Sequence, residues 1–186
     1  MIVSSFPAIK PARLYYRDLV LCKLEALSSS NGDHNAIVYL SQLASNSLQW
    51  FVLNSRLYNG TRITKPLTAM TMATDASHSG WGVGCDGVSS SGLSSSEEQA
   101  MHINWLEISA VFFSVKCFVH PHNRCVKVFC DNSTAVAYIS NLGGMVPSLH
   151  AVSKSIWEWC FAHHCMLEGY HIPGCSNLQA DSLSLQ

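Results

Sequence analysis

The sequence predicts an α/β protein: a mixed five-stranded sheet with flanking helices, preceded by a small helical segment. Three observations carry that prediction. From residue 71 onward the pattern of apolar runs and turn residues reads β-β-β-α-β-α-α-β-α, a meander followed by strand–helix alternation, which calls for a sheet of mixed direction with helices packed on it. Of the 186 residues, 48% are hydrophobic and 12% charged, enough for one full domain with a buried core plus a smaller appendage, and too apolar for disorder over most of the length. Residues 1–60 show helical periodicity and no strand pattern, and are too few to bury a good core alone.

Taken in order, residues 1–12 read as extended, with Pro7 and Pro11. Arg13–Leu27 reads as a helix, and Asn31-Gly32 as a break. Ile37, Leu40, Ala44, Leu48 and Phe51 recur at steps of three and four and predict a second helix that ends near Asn59-Gly60. A connector with Pro66 spans Arg62–Met70. Two strands follow, over Thr71–Ala76 and Trp81–Cys85, and the Ser-rich run 89–96 predicts a short third strand with polar flanks. A long apolar helix starts at Asn104 and is stopped by Pro121. Val126–Asp131 is a strand that ends on an acid; Asn132 or Ser133 can cap the helix after it, which terminates at Gly143-Gly144. Pro147 opens another helix, Met166–Ile172 is the last strand, and Asn177–Leu185 the last helix. The domain boundaries are therefore 1–65 for the helical segment and 70–186 for the α/β domain.

Composition removes several function classes. A net charge of −1 gives no broad basic surface for gripping phosphates. No apolar run approaches the ~18 residues of a membrane span, so no membrane partner is expected. The eight cysteines contain no CxxC pair and mostly sit inside apolar runs, which predicts buried free thiols and a reducing intracellular compartment, cytoplasmic or nuclear. The scattered histidines give no metal-ligand spacing; His120/His122 and His163/His164 read as solvated helix ends. Trp105, Trp157 and Trp159 read as core. Gly82-Val83-Gly84-Cys85-Asp86-Gly87 matches GxGxxG, but no helix follows it, as a dinucleotide site requires.

The candidate chemistry lies in four acids. Asp75 and Asp131 each end a hydrophobic β run, and on neighbouring parallel strands their carboxylates emerge at one sheet edge. Glu107 lies in the first turn of a helix and Asp181 near the start of the last one. Four acids that meet at one point need a cation; their natural partners are two hard divalent ions, about 3.5–4 Å apart. Each acid also has an ordinary structural use: Asp75 and Asp131 as turn residues, Glu107 as the far end of a capping box with Asn104, and Asp181 as a first-turn acid.

Several motifs occur together in order. They are Thr74-Asp75-Ala76-Ser77 with Gly80-Trp81-Gly82, then His102-Ile103-Asn104-Trp105-Leu106-Glu107, then Asp131–Ile139, then His171-Ile172-Pro173-Gly174 with Asn177 and Ala180-Asp181-Ser182-Leu183-Ser184. Over about residues 70–185 this series resembles the type I ribonuclease H domain of retroelement polyproteins, in particular the reverse transcriptase–RNase H of DIRS-like (tyrosine-recombinase) retrotransposons. The resemblance implies an RNase H-like fold and two Mg²⁺ ions, with Mn²⁺ as a substitute, held by Asp75, Glu107, Asp131 and Asp181. It implies hydrolysis of the RNA strand of an RNA–DNA hybrid to leave 3′-hydroxyl and 5′-phosphate ends, with His171 assisting proton transfer or product release. Such domains read a hybrid by backbone shape and the 2′-hydroxyl in a shallow minor groove; Ser77, His78, Asn132 and Ser133 are placed nearest the substrate. Gly80, Gly82 and Gly84 then read as keeping a hairpin lean where a nucleic-acid backbone passes.

Phe6–Leu14 and Leu48-Gln49-Trp50 resemble, more loosely, the segment that joins the polymerase thumb to the RNase H in the same polyproteins. No polymerase motif is present, so the missing polymerase portion is an implied partner. The chain stops at Ser184-Leu185-Gln186, where such domains continue past Leu-Ser-Arg, which predicts a fragment, or a decayed or domesticated copy. The alternative function is a catalytically silent nucleic-acid-binding or interaction fragment that keeps the fold. An integrase or transposase fits less well, because the His-Ile-Pro-Gly and Ala-Asp ending differs from the usual Asp-Asp-Glu arrangement.

Overall fold

The computed structural model describes residues 2–60, 67–118 and 124–185. Pro66 and most of the connector, the Pro121 helix stop, and His120 and His122 lie outside the described residues. The chain divides into two compact units, Met1–Thr64 and Lys65–Gln186.

The first unit is a helical pair, α1 (Ala12–Ser29) and α2 (Gln42–Asn54). Asn31 and Gly32 both take positive φ in the break between them. Tyr15 stacks on Trp50 at 4.0 Å, and the Ser47 hydroxyl donates to the buried Asp18 carboxylate at 2.5 Å. Ile9 bridges to Asn59. Two sequence expectations fail here. Residues 3–5 form a 3-10 turn instead of extended chain. Ile37 and Leu40 precede α2 and stand exposed: Ser41 caps the helix by accepting from the Ala44 N–H, and a cap outweighs apolar spacing in setting where a helix begins.

The second unit carries the five-stranded sheet, order β3-β2-β1-β4-β5, with β1 at Thr68–Ala76, β2 at Gly80–Cys85, β3 at Val88–Leu93, β4 at Arg124–Cys130 and β5 at Cys165–His171. The β1–β2 and β2–β3 pairs are antiparallel, and β1–β4 and β4–β5 are parallel, so the predicted mixed sheet is present. The helices are α3 (Ser96–Gln99), α4 (Ile103–Phe118), α5 (Ser133–Ser140), α6 (Pro147–Ala162) and α7 (Leu178–Ser184). The sequence reading missed α3, a single turn with a Ser95/Glu98 capping box inside the polar run. It also placed the start of α4 at Asn104; the helix begins one residue earlier, and the His102 ring accepts from the Asn104 N–H. The GxGxxG run ends in a tight turn, with positive φ at Asp86 and Gly87, and leads into a strand.

Packing assigns the two faces of the sheet. Ala76 joins Leu106 and Ala110 of α4, while its neighbour Asp75 reaches Ser184 of α7; alternation along a strand sends adjacent side chains to opposite faces. Met72, Val126, Val128, Ile108, Val111, Val115, Ile156 and Trp157 form the deep core, and the Trp157 indole donates to the Ile139 carbonyl. Trp105 and Trp159 are only half-buried; Trp159 stacks on His163. Six of the eight cysteines are buried, and all eight are free thiols. Among the described residues no helix is long and apolar enough to cross a membrane.

Candidate active site

Asp75 is the penultimate residue of the central strand and is 6% exposed. Ser184, at the end of α7, donates its hydroxyl to Asp75 Oδ2 at 2.5 Å. Burial holds the Asp75 carboxyl above its ordinary value; the Ser184 hydrogen bond works against that, and the charges on Asp131 and Asp181 add to it. Like charges close by oppose ionisation in the same sense as burial does.

Glu107 sits in the second turn of α4, 4% exposed. It does not close a capping box with Asn104. Its carboxylate instead accepts from the Cys130 thiol at 3.5 Å and from the Ala76 backbone. Burial, then the charges on Asp75 and Asp131, push this carboxyl up to about 8. Asp131 follows β4 directly and is half-buried. Asp181 lies in the first turn of α7 with its side chain exposed. Across more than a hundred residues of sequence, Asp131 and Asp181 act on Asp75, and Asp75 and Asp131 act on Glu107; among the described residues, the ligating atoms gathered within 4.8 Å of one another are those of Glu107, Cys130 and Asp131, without Asp75 or Asp181. Among the described residues, no cationic group acts on Asp75 or Glu107.

His171 ends β5, exposed, and its Nε2 donates to the Asp131 carbonyl at 3.0 Å. That bond leaves Nδ1 as an acceptor in the neutral ring. The Ser77 hydroxyl accepts from the Ser79 and Gly80 N–H groups and reaches the Ser184 carbonyl, so it closes its own turn onto α7. His78 is exposed, its Nδ1 3.0 Å from the Gln99 carbonyl. Asn132 caps α5 through Ala135 N–H and donates its amide to Asn104 Oδ1 at 2.9 Å; Ser133 opens the helix, exposed.

Two residues of this neighbourhood carried no role in the sequence reading. Cys130 shares a space with Glu107 and Asp131, their ligating atoms all within 4.8 Å of one another. The available signal was its place beside Asp131, where strand alternation turns one side chain inward. Burial, then the charge of Glu107, pushes its thiol well above the ordinary range, and the thiol donates to Glu107. Ser184 is the other, and no local signal marks a contact made across the whole domain. The acidic donors are carboxylate oxygens, which fit a hard divalent ion.

The glycines of the hairpin need a corrected account. A Cβ on Gly82 would stand 2.5 Å from the Ala180 carbonyl and 2.6 Å from Leu183 Cβ, and one on Gly80 would stand 2.4 Å from the Gly92 carbonyl. Gly82 makes room for α7, and Gly80 for the next strand, so neither leaves a channel for a nucleic-acid backbone.

No protein-family model matches the chain, and no curated protein matches it. Among solved structures it is similar to LC11-RNase H1 in complex with an RNA/DNA hybrid, at 19% identity over 61% of this chain and 92% of that one, with a TM-score of 0.52. RNase H1 from the halophilic archaeon Halobacterium salinarum NRC-1 gives 16% identity, 62% and 96% coverage and a TM-score of 0.48. Prototype foamy virus protease-reverse transcriptase gives 12%, 81% and 21%, and 0.40. With the sheet order β3-β2-β1-β4-β5 and its flanking helices, the likeness to LC11-RNase H1 shows an RNase H-like fold.

Proposed function

We propose that the α/β unit is an endonuclease that hydrolyses the RNA strand of RNA–DNA hybrids, as part or remnant of a retrotransposon reverse transcriptase of the DIRS-like type. The observation that carries this reading is the proximity of the four acids: Asp131 and Asp181 act on Asp75, and Asp75 and Asp131 act on Glu107. The ordered motif series supports it, as does the RNase H-like fold.

In this reading the four carboxylates hold two Mg²⁺ ions, with Mn²⁺ as a substitute. Bound there, such a pair supplies an activated water on one side of the phosphate and charge stabilisation of the leaving oxygen on the other. Asp75 presents the oxygen that Ser184 does not occupy. Glu107 would hold metal as its carboxylate, oriented by the Cys130 thiol and the Ala76 N–H. His171, held by Nε2 on the Asp131 carbonyl, offers Nδ1 to the proton released as water attacks. The water oxygen bonds to phosphorus as the P–O3′ bond breaks, and O3′ takes up a proton from solvent, leaving a 3′-hydroxyl and a 5′-phosphate. Ser77, His78, Asn132 and Ser133 lie on the substrate side. The helical pair at 1–65 is the proposed thumb or connection, whose partner is the polymerase portion of a parent polyprotein, and the reaction runs in the cytoplasm or nucleus.

The test is cleavage of an RNA-labelled hybrid in Mg²⁺. The proposal predicts products with 5′-phosphate ends, lost in Asp131→Asn while folding persists. A well-folded wild type that cleaves in neither Mg²⁺ nor Mn²⁺ would replace this reading with the silent scaffold.

A further inference from the structure

Helix α7 has seven residues, too few to hold its shape by its own hydrogen bonds. Yet it carries Asp181. What fixes it is a set of contacts with the strand and turn that carry Asp75. At its start, Asn177, 2% exposed, donates its amide to the Thr74 carbonyl at 3.0 Å. In its middle, the bare Gly82 lets the Ala180–Ser184 backbone lie directly on β2. At its end, the Ser77 hydroxyl donates to the Ser184 carbonyl.

Ser184 itself is fully buried. Its hydroxyl lies 2.5 Å from Asp75 Oδ2 and 3.0 Å from the Asp181 carbonyl. A hydroxyl has one proton to donate, and the short bond to the carboxylate is the charge-assisted one. The same oxygen therefore touches the side chain of one acid and the backbone of another, 106 residues apart in the numbering from Asp75 to Asp181.

The geometry points to Ser184 as a positioning residue that locks the rotation of the Asp75 carboxylate and ties it to the helix presenting Asp181, so that one hydroxyl sets how well the two acids bind divalent cations together. This inference rests on the metal-dependent reading above. By binding Oδ2, Ser184 fixes which Asp75 oxygen is left for a cation. By closing the end of α7, it keeps the exposed Asp181 side chain from swinging away with a frayed helix.

Three measurements on wild type and Ser184→Ala decide it: calorimetric titration with Mn²⁺, the Mg²⁺ concentration giving half-maximal hybrid cleavage, and thermal unfolding without metal. A lost hydrogen bond to a charged group weakens binding roughly tenfold or more, so Ser184→Ala should need about that much more metal at both readouts and regain most of the rate at saturation. Ser184→Cys, a weaker donor of similar size, should fall between the two and serves if the alanine variant does not fold. Unchanged metal affinity alongside a lowered unfolding temperature would overturn the inference and leave Ser184 as helix packing. Wild type that binds metal but cleaves nothing would remove the hybrid-nuclease reading alone, since the calorimetric comparison still decides Ser184. Wild type that binds no metal would remove both.

Discussion

The candidate site has a buried half and an open half, and they are built differently. Asp75 and Glu107 are 6% and 4% exposed, sit on a central strand and a core helix, and carry the raised carboxyls. Asp131 is half-buried and Asp181 exposed, one just beyond a strand and the other on a one-sided helix. The buried pair stores unfavourable electrostatics in the metal-free protein, since burial and like charge both oppose ionisation. The open pair keeps its contact with water. A site with this division should trade stability for function on one side only.

Substituting the buried pair tests that division most severely. Asp75→Asn or Glu107→Gln should reduce metal-dependent hydrolysis to background, and Glu107→Gln should at the same time leave the metal-free protein at least as stable as wild type at alkaline pH, measured by denaturant unfolding. A large loss of stability in Glu107→Gln would break the comparison.

The pH dependence of unfolding comes next. Glu107 titrates near 4.5 in the unfolded chain and about 8 in the folded one, so between those values the folded state binds the extra proton. Stability therefore falls as pH rises through that window, and the raised Asp75 carboxyl acts in the same direction. Unfolding in EDTA from mildly acidic to mildly alkaline pH should show the fall. Saturating Mg²⁺ or Glu107→Gln should flatten it.

Smaller effects map the supports of each half. Gly82→Ala forces a methyl group against the Ala180 carbonyl and should cost about 1–3 kcal/mol, with activity impaired through α7. Asn132→Ala removes the α5 cap and the partner of Asn104 and should cost about 1 kcal/mol. Asp181→Asn should shift stability by no more than about 0.5 kcal/mol while lowering hydrolysis, the signature expected of the open half.

How much of this was legible in the sequence depends on the range of the interaction. The strands, the order of elements and the mixed sheet follow from local apolar runs and turn residues, and Asp75 falls on the central strand as the pattern implied. Local signals misled where two of them competed: Ile37 and Leu40 keep helical spacing, but the Ser41 cap starts the helix after them. The capping box of α3 was hidden in a run of serines that looked featureless. The meaning of Gly82 was not readable at all, because the backbone it makes room for lies about a hundred residues away. Ser184 was missed for the same reason, its hydroxyl meeting Asp75 across 109 residues; Cys130 was missed although its place on the strand beside Asp131 marked it.

The central claim is that the buried and open acids form one cation site. Calorimetric titration of the wild-type protein with Mg²⁺ and Mn²⁺, repeated on Asp75→Asn, tests it most directly. Wild type should bind saturably, with a rise in unfolding temperature, and Asp75→Asn should lose both while staying folded. A well-folded wild type that binds neither ion, or an Asp75→Asn variant that binds them as wild type does, would contradict it.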